Sequence, residues 1–180
     1  CRLTTVFIYG FKIISDTVTM DENNSDSDSI VIVGGGFAGL TTALSLCRLH
    51  PRPSIVLIEP RKRFVFLPLL YELLSGELKI WEVAPLYTSI TDEYGIVLLQ
   101  DSVLSIDEKR KSVITSSGLN LYYSQLVLAT GSSTNDFGIG GVRDYALRFN
   151  NLEDVEILRN HVSELNISKE SKKSLVIVGA

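Results

Sequence analysis

The chain has 180 residues, 45% of them hydrophobic and 21% charged, with 13 glycines and a mean hydropathy of +0.21. That composition excludes global disorder, a collagen repeat and a disulfide-rich mini-protein, and no apolar run approaches the roughly 20 residues of a membrane-spanning helix. With 17 basic residues against 21 acidic, the net charge is −4, so the basic footprint of a nucleic-acid binder is missing.

The chain begins at Cys1, and its only methionine is Met20. Residues 1–20 lean apolar but carry no signal-peptide pattern. Residues 21–29 (DENNSDSDS) hold four acids and no base, with nothing to bury against the entropy of ordering. Residues 1–29 are therefore expected to be a disordered leader outside the fold. The two cysteines, Cys1 and Cys47, have neither the spacing of a disulfide scaffold nor that of a zinc site.

From residue 30 the texture changes. Residues 30–33 (IVIV) form a β-branched run suited to a strand buried on both faces. Phe37, Leu40, Leu44 and Cys47 then recur at spacings of three and four, predicting an amphipathic helix over 37–49. Cys47 reads as a small buried hydrophobe on that helix. The segment His50-Pro51-Arg52-Pro53 stops it. Residues 54–58 (SIVLI) are a second buried strand, ending at Glu59, and the three elements make a βαβ unit.

Short helices are expected over 68–74 and 82–90. Strands over 96–99, 103–106 and 112–115, with turns at 107–111 and 116–120, predict an antiparallel meander. Residues 125–129 (QLVLA) return to the buried-strand texture. A helix over 152–165 and a strand over 175–178 follow. The run LVIVGA at 175–180 nearly copies IVIVGGG at 30–36.

Gly34-Gly35-Gly36-Phe37-Ala38-Gly39 fits GxGxxG between a predicted strand and a predicted helix. Gly34 permits the tight turn, Gly36 lets backbone approach a pyrophosphate, and Gly39 lets helix and strand pack closely. The helix N-terminus adds free amides and a positive dipole end. Glu59 lies 20 residues past Gly39, where a carboxylate can accept hydrogen bonds from ribose hydroxyls.

A meander between two buried strands, followed by Ala129-Thr130-Gly131, resembles the flavoproteins with two dinucleotide-binding domains. Within them, the stretch from Arg63 and Phe64 through Pro68, Tyr71 and Glu72 to Glu77, with Trp81-Glu82-Val83-Ala84-Pro85, resembles the type II NAD(P)H:quinone dehydrogenases. It is most similar to their demethylphylloquinone reductase branch of plastids and cyanobacteria. One departure is Gly140-Gly141-Val142, where many relatives carry a proline in place of the second glycine.

The resemblance implies an α/β FAD/NAD(P)-binding Rossmann-like fold with an inserted β-meander, truncated. Residues 30–150 would be the first part of an FAD-binding domain. Residues 151–180 would supply a connecting helix and the first strand of an NAD(P)H-binding domain, cut at Gly179-Ala180. The chain is thus expected to be a fragment, inactive alone and a poor holder of FAD. FAD would be held by Gly34, Gly35, Gly36, Phe37, Ala38 and Gly39, by Glu59, Pro60 and Arg61, by Val103, and by Ala129, Thr130 and Gly131. No catalytic residue and no metal are expected, because the flavin carries the chemistry. NAD(P)H would be co-substrate and a quinone the acceptor. Peripheral attachment to a membrane such as the thylakoid, and a homodimer, are further implications. The alternatives are a related oxidoreductase with another acceptor and a non-catalytic flavin-binding module. Disulfide and sulfide:quinone reductases need cysteines that residues 60–100 lack.

Overall fold

The computed structural model describes residues 12–14, 17–19, 29–167 and 174–178. Inside the expected leader, β1 (Lys12–Ile14) pairs antiparallel with β2 (Thr17–Thr19). Their β-branched residues favour strand, a pairing that sequence reading did not anticipate. The rest of residues 1–28 lies outside the described residues. The chain divides into two compact units, one running up to Phe64 and including Pro85–Ser133, the other made of Val65–Ala84 with the chain from Thr134 on.

The first unit is layered. β3 (Ser29–Val33), α1 (Phe37–Leu46) and β4 (Ser54–Ile58) form the expected βαβ unit, with β3 and β4 parallel in the register Ser29↔Ser54 to Val33↔Ile58. α1 ends three residues early. Arg48 and Leu49 donate instead to the carbonyls of Ser45 and Leu46, three residues back, the tightened last turn typical of a helix end ahead of a proline that disfavours α backbone before it.

In the second unit, a 3-10 turn (Leu67–Leu69) runs into α2 (Leu70–Ser75), and α3 (Ile80–Val83) follows. Back in the first unit, α4 (Tyr87–Glu93) replaces the end of the single helix predicted over 82–90. Pro85 is the cause: it lacks an N–H and pushes Ala84 out of the helical region, to φ −137° and ψ 77°.

The meander also differs from expectation. β5 (Val97–Leu99) joins the parallel sheet beside β4. The antiparallel sheet is instead β6 (Val103–Asp107), β7 (Ser112–Thr115) and β8 (Asn120–Tyr122), in that order. The reason is legible afterwards. Ile96 to Leu99 is continuously apolar, as a strand covered on both faces must be, whereas residues 120–122 alternate polar and apolar. With β9 (Gln125–Leu128), the parallel sheet reads β5-β4-β3-β9.

Alternation along β3 sends side chains into two cores. Val31 and Val33 pack with Val56, Ile58 and the meander residues Val113 and Leu121. Ile30 and Ile32 pack with Leu40 and Ala43 of α1 and Tyr87 of α4. Cys47 is half-buried at the edge of this second core.

In the second unit, α5 (Val142–Tyr145) and α6 (Leu152–Ile167) follow. Val155 of α6 is buried with Val65, Leu70, Leu73 and Val83. Tyr71 and Trp81 are mainly exposed; Tyr71 donates to Glu72 at 2.8 Å, and the Lys79 ammonium lies over the Trp81 ring. The strand expected over 175–178 is also absent. Leu175, Val176, Ile177 and Val178 are exposed and irregular, since a parallel strand exists only through hydrogen bonds to neighbours and none pairs with them among the described residues. Gly179 and Ala180 lie outside the described residues.

Candidate dinucleotide site

The parallel sheet brings the carboxyl ends of β3, β4, β5 and β9 to one edge. β3 has β4 on one side and β9 on the other, so the turn after β3 lies at the point where chain connections diverge, the place where ligands bind in open α/β sheets. That turn is the glycine motif. The Gly34 N–H donates to the Ile58 carbonyl at 2.9 Å, and the Glu59 N–H to the Leu99 carbonyl at 3.0 Å, so three strand ends are tied together.

Each glycine meets a different constraint. Gly34 has φ +97°, and a Cβ there would stand 2.3 Å from the Ala129 carbonyl oxygen and 3.2 Å from the Thr130 Cα. A Cβ on Gly39 would stand 1.8 Å from the Gly34 carbonyl oxygen and 3.3 Å from the Ala129 Cβ. These contacts let α1 press against the ends of β3 and β9. A Cβ on Gly36 would meet nothing within 4 Å. Gly36 is the N-cap of α1 and has no side-chain cap. Phe37 and Ala38, the first residues of the helix, are exposed beside it.

Glu59 is only 2% exposed. Its Oε2 accepts the Gly35 N–H at 2.7 Å and Arg61 Nη2 at 2.9 Å. Oε1 accepts the Arg61 backbone N–H at 2.9 Å and Nε at 2.8 Å. Burial pushes the Glu59 carboxyl up, but the Arg61 side chain, the Arg61 and Gly35 amides and the guanidinium charge outweigh it and hold the group below 4.5. These four donors match the roughly four lone-pair positions of a carboxylate. A ribose hydroxyl could reach Glu59 only by replacing Arg61, whose side chain is 54% exposed and therefore movable. Pro60, between them, is exposed.

Ala129 donates to the Val33 carbonyl at 2.8 Å and, with Thr130, walls the turn; Gly131 is exposed with φ +71°. Val103 begins β6, four residues past the end of β5. It pairs with Thr115 and packs against the sheet–meander core that also holds Val33. Tyr87 was missed by sequence reading. It is fully buried, donates its hydroxyl to the Gly35 carbonyl at 2.7 Å, and its ring would meet a Gly35 Cβ at 2.8 Å. Phe64 stands edge-on between the Tyr87 and Phe37 rings. No periodicity signals this role, because Tyr87 opens a short helix where any residue would do.

The flavin dinucleotide implied by the sequence resemblance needs backbone amides at its pyrophosphate with no Cβ in the way. The open space at Gly36 and the uncapped start of α1 meet that need. A glycine turn between a parallel strand and a helix N-terminus, with an acid ending the adjacent strand, defines the class of dinucleotide-binding α/β proteins. The model of the pyridine nucleotide-disulphide oxidoreductase family matches residues 28–180. The chain belongs to that family.

Relatives narrow the likeness. The demethylphylloquinone reductase NdbB of Synechocystis sp. is 38% identical over 158 residues, covering 83% of this chain and 39% of the relative. The alternative NAD(P)H-ubiquinone oxidoreductase C1, chloroplastic/mitochondrial, of Arabidopsis thaliana is 34% identical over 190 aligned positions, covering 92% and 37%. Among solved structures, the sulfide:quinone oxidoreductase of Aquifex aeolicus superposes with a TM-score of 0.71 at 29% identity, over 77% of this chain and 32% of that one. NDH2 from Plasmodium falciparum gives 0.65 at 25% identity, over 78% and 30%. The chain thus spans under half the length of these relatives.

Proposed function

We propose that this chain carries the adenine-dinucleotide half of the flavin site in an FAD-dependent NAD(P)H:quinone oxidoreductase of the type II kind. The observation that carries the reading is the glycine turn at the switch point, open at Gly36 and closed at Gly34 and Gly39. Its likeness to two quinone-reducing relatives, named for demethylphylloquinone and ubiquinone, supports the acceptor class.

In this reading, the amides from Gly34 to Gly39 bind the pyrophosphate, aided by the dipole of α1. Glu59 accepts the ribose hydroxyls once Arg61 has moved aside, and Pro60 shapes that corner. Val103 offers backbone to the adenine, while Ala129, Thr130 and Gly131 back the cofactor on the side of β9. When bound, FAD would accept a hydride from the nicotinamide and pass two electrons to the quinone; the protein supplies position, field and shelter from water. Residues 30–150 then serve as the first part of the FAD-binding domain, with 151–180 leading into the NAD(P)H-binding domain and 1–29 a leader.

A lipid-soluble acceptor implies peripheral attachment to a membrane, a thylakoid for the plastid and cyanobacterial likeness, and a homodimer completes the proposal. Among the described residues no helix is long and apolar enough to cross a membrane.

The test has two stages. FAD titrated into the purified chain should quench its fluorescence saturably, though weakly; a folded chain that binds neither FAD nor ADP overturns the reading. The longer protein containing this chain should oxidise NADH much faster when a quinone is added, and a rate indifferent to quinone overturns the acceptor.

A further inference from the structure

We propose that Tyr87 is a positioning residue that aims the Gly36 amide of the glycine turn at the pyrophosphate, an inference that rests on the FAD reading. The Gly35 carbonyl and the Gly36 N–H belong to the same planar trans peptide, so they point in opposite directions. The Tyr87 hydroxyl donates to that carbonyl at 2.7 Å from within the core. The carbonyl is thus turned inward, and the Gly36 N–H must turn outward, to the side where a Gly36 Cβ would meet nothing within 4 Å.

The preceding peptide is held as well. The Gly35 N–H donates to Glu59 Oε2 at 2.7 Å. Both polar groups of Gly35 are therefore engaged by buried side chains from other elements, and the rotation of the Gly35–Gly36 peptide is set.

Glycine makes this necessary. Without a Cβ, a run of three glycines has no preferred peptide orientation of its own. A flipped Gly35–Gly36 peptide would present a carbonyl oxygen to the phosphates, which repels them. The Tyr87 ring also occupies the position of any Gly35 Cβ, at 2.8 Å, so the same side chain demands a glycine and then removes its freedom. Tyr87 is itself fixed: it is fully buried, its ring packs edge-on against Phe64 with centroids 6.3 Å apart, and its carbonyl accepts from Thr91 at 2.9 Å.

The experiment compares Tyr87→Phe with Thr91→Ala, a buried control on the same helix that leaves the Tyr87–Gly35 bond in place. Backbone amide spectra are recorded, and FAD, ADP and adenosine are titrated in. Tyr87→Phe should displace the Gly36 amide resonance in the ligand-free chain. It should weaken FAD and ADP about tenfold, the scale of a charge-assisted hydrogen bond lost or misaimed, and leave adenosine, which has no phosphate, unchanged.

Thr91→Ala should lower stability without altering the ratio of ADP to adenosine affinity. Equal ADP binding by wild type and Tyr87→Phe overturns the positioning role, and so does a loss shared equally by ADP and adenosine. Failure of the wild type to bind FAD or ADP overturns the FAD reading itself, and the inference with it. If Tyr87→Phe does not fold, 3-fluorotyrosine at position 87 keeps the shape while changing the donor, and an unmoved Gly36 resonance is then the overturning result.

Discussion

The Glu59 carboxylate accepts the Gly35 N–H at 2.7 Å across 24 residues of sequence, joining the end of β4 to the turn after β3. An acid in the place where ribose recognition is expected is therefore also part of the scaffold of the glycine turn. The first prediction follows from its charge. The folded carboxyl lies below its ordinary value of 4.5, so its stabilisation is complete above that value and is lost as pH falls through the folded value. Glu59→Gln should cost about 2–3 kcal/mol near pH 7, less than a fully buried ion pair because Arg61 is half exposed. It should also flatten the acid side of the stability curve below about pH 5, as read by urea denaturation across pH. An unchanged acid limb would refute the assignment.

Arg61 tests the other side of that pair. Arg61→Ala strips Glu59 of its side-chain donors, so the burial that pushes the carboxyl up is opposed by two amides alone. The midpoint of the Glu59 carboxyl carbon signal, followed by NMR, should rise. Arg61→Lys should recover only part of the shift, because an ammonium cannot grip both oxygens in a planar fork.

The glycines should separate cleanly. Gly39→Ala places a methyl 1.8 Å from the Gly34 carbonyl oxygen and should cost about 3 kcal/mol or more, the upper range of overpacking. Gly36→Ala meets open space and should change stability by less than about 1 kcal/mol, since a lost N-cap preference and a stiffer unfolded chain offset each other. Yet it should weaken FAD binding, because the methyl lies where the pyrophosphate is expected. Thermal melts and FAD titration of the two variants read both effects.

In the second unit, Arg159 of α6 donates to the carbonyls of Leu73 and Leu74, and α2 closes on Gly76 at φ +88°. The guanidinium caps carbonyls that a helix end leaves unpaired. Arg159→Ala should destabilise that unit by about 1 kcal/mol, measured as faster amide exchange in α2. The sheet of the first unit should be unaffected.

Much was legible in the chain itself. The βαβ unit, the glycine turn and the acid ending β4 all follow from local rules: a continuous apolar run for a two-face strand, a three-and-four spacing for α1, glycines where backbone must bend or approach. Val97–Leu99 joins the parallel sheet and not the meander that follows it in sequence, because a continuously apolar strand must be covered on both faces.

The sequence by itself determined that a glycine turn joins a buried strand to a helix and which residues form it, since those requirements are met within a few neighbouring residues. Only the tertiary structure decided what that turn is held by. That Tyr87 orients the Gly35 peptide, that Glu59 accepts the Gly35 N–H, and that Ala129 forbids a side chain on Gly34 depend on contacts between residues 24 to 95 positions apart in the chain. The same holds for residues 175–178, whose apolar pattern describes a strand but which pair with none among the described residues. A strand's pattern is local, but its hydrogen bonds belong to its neighbours.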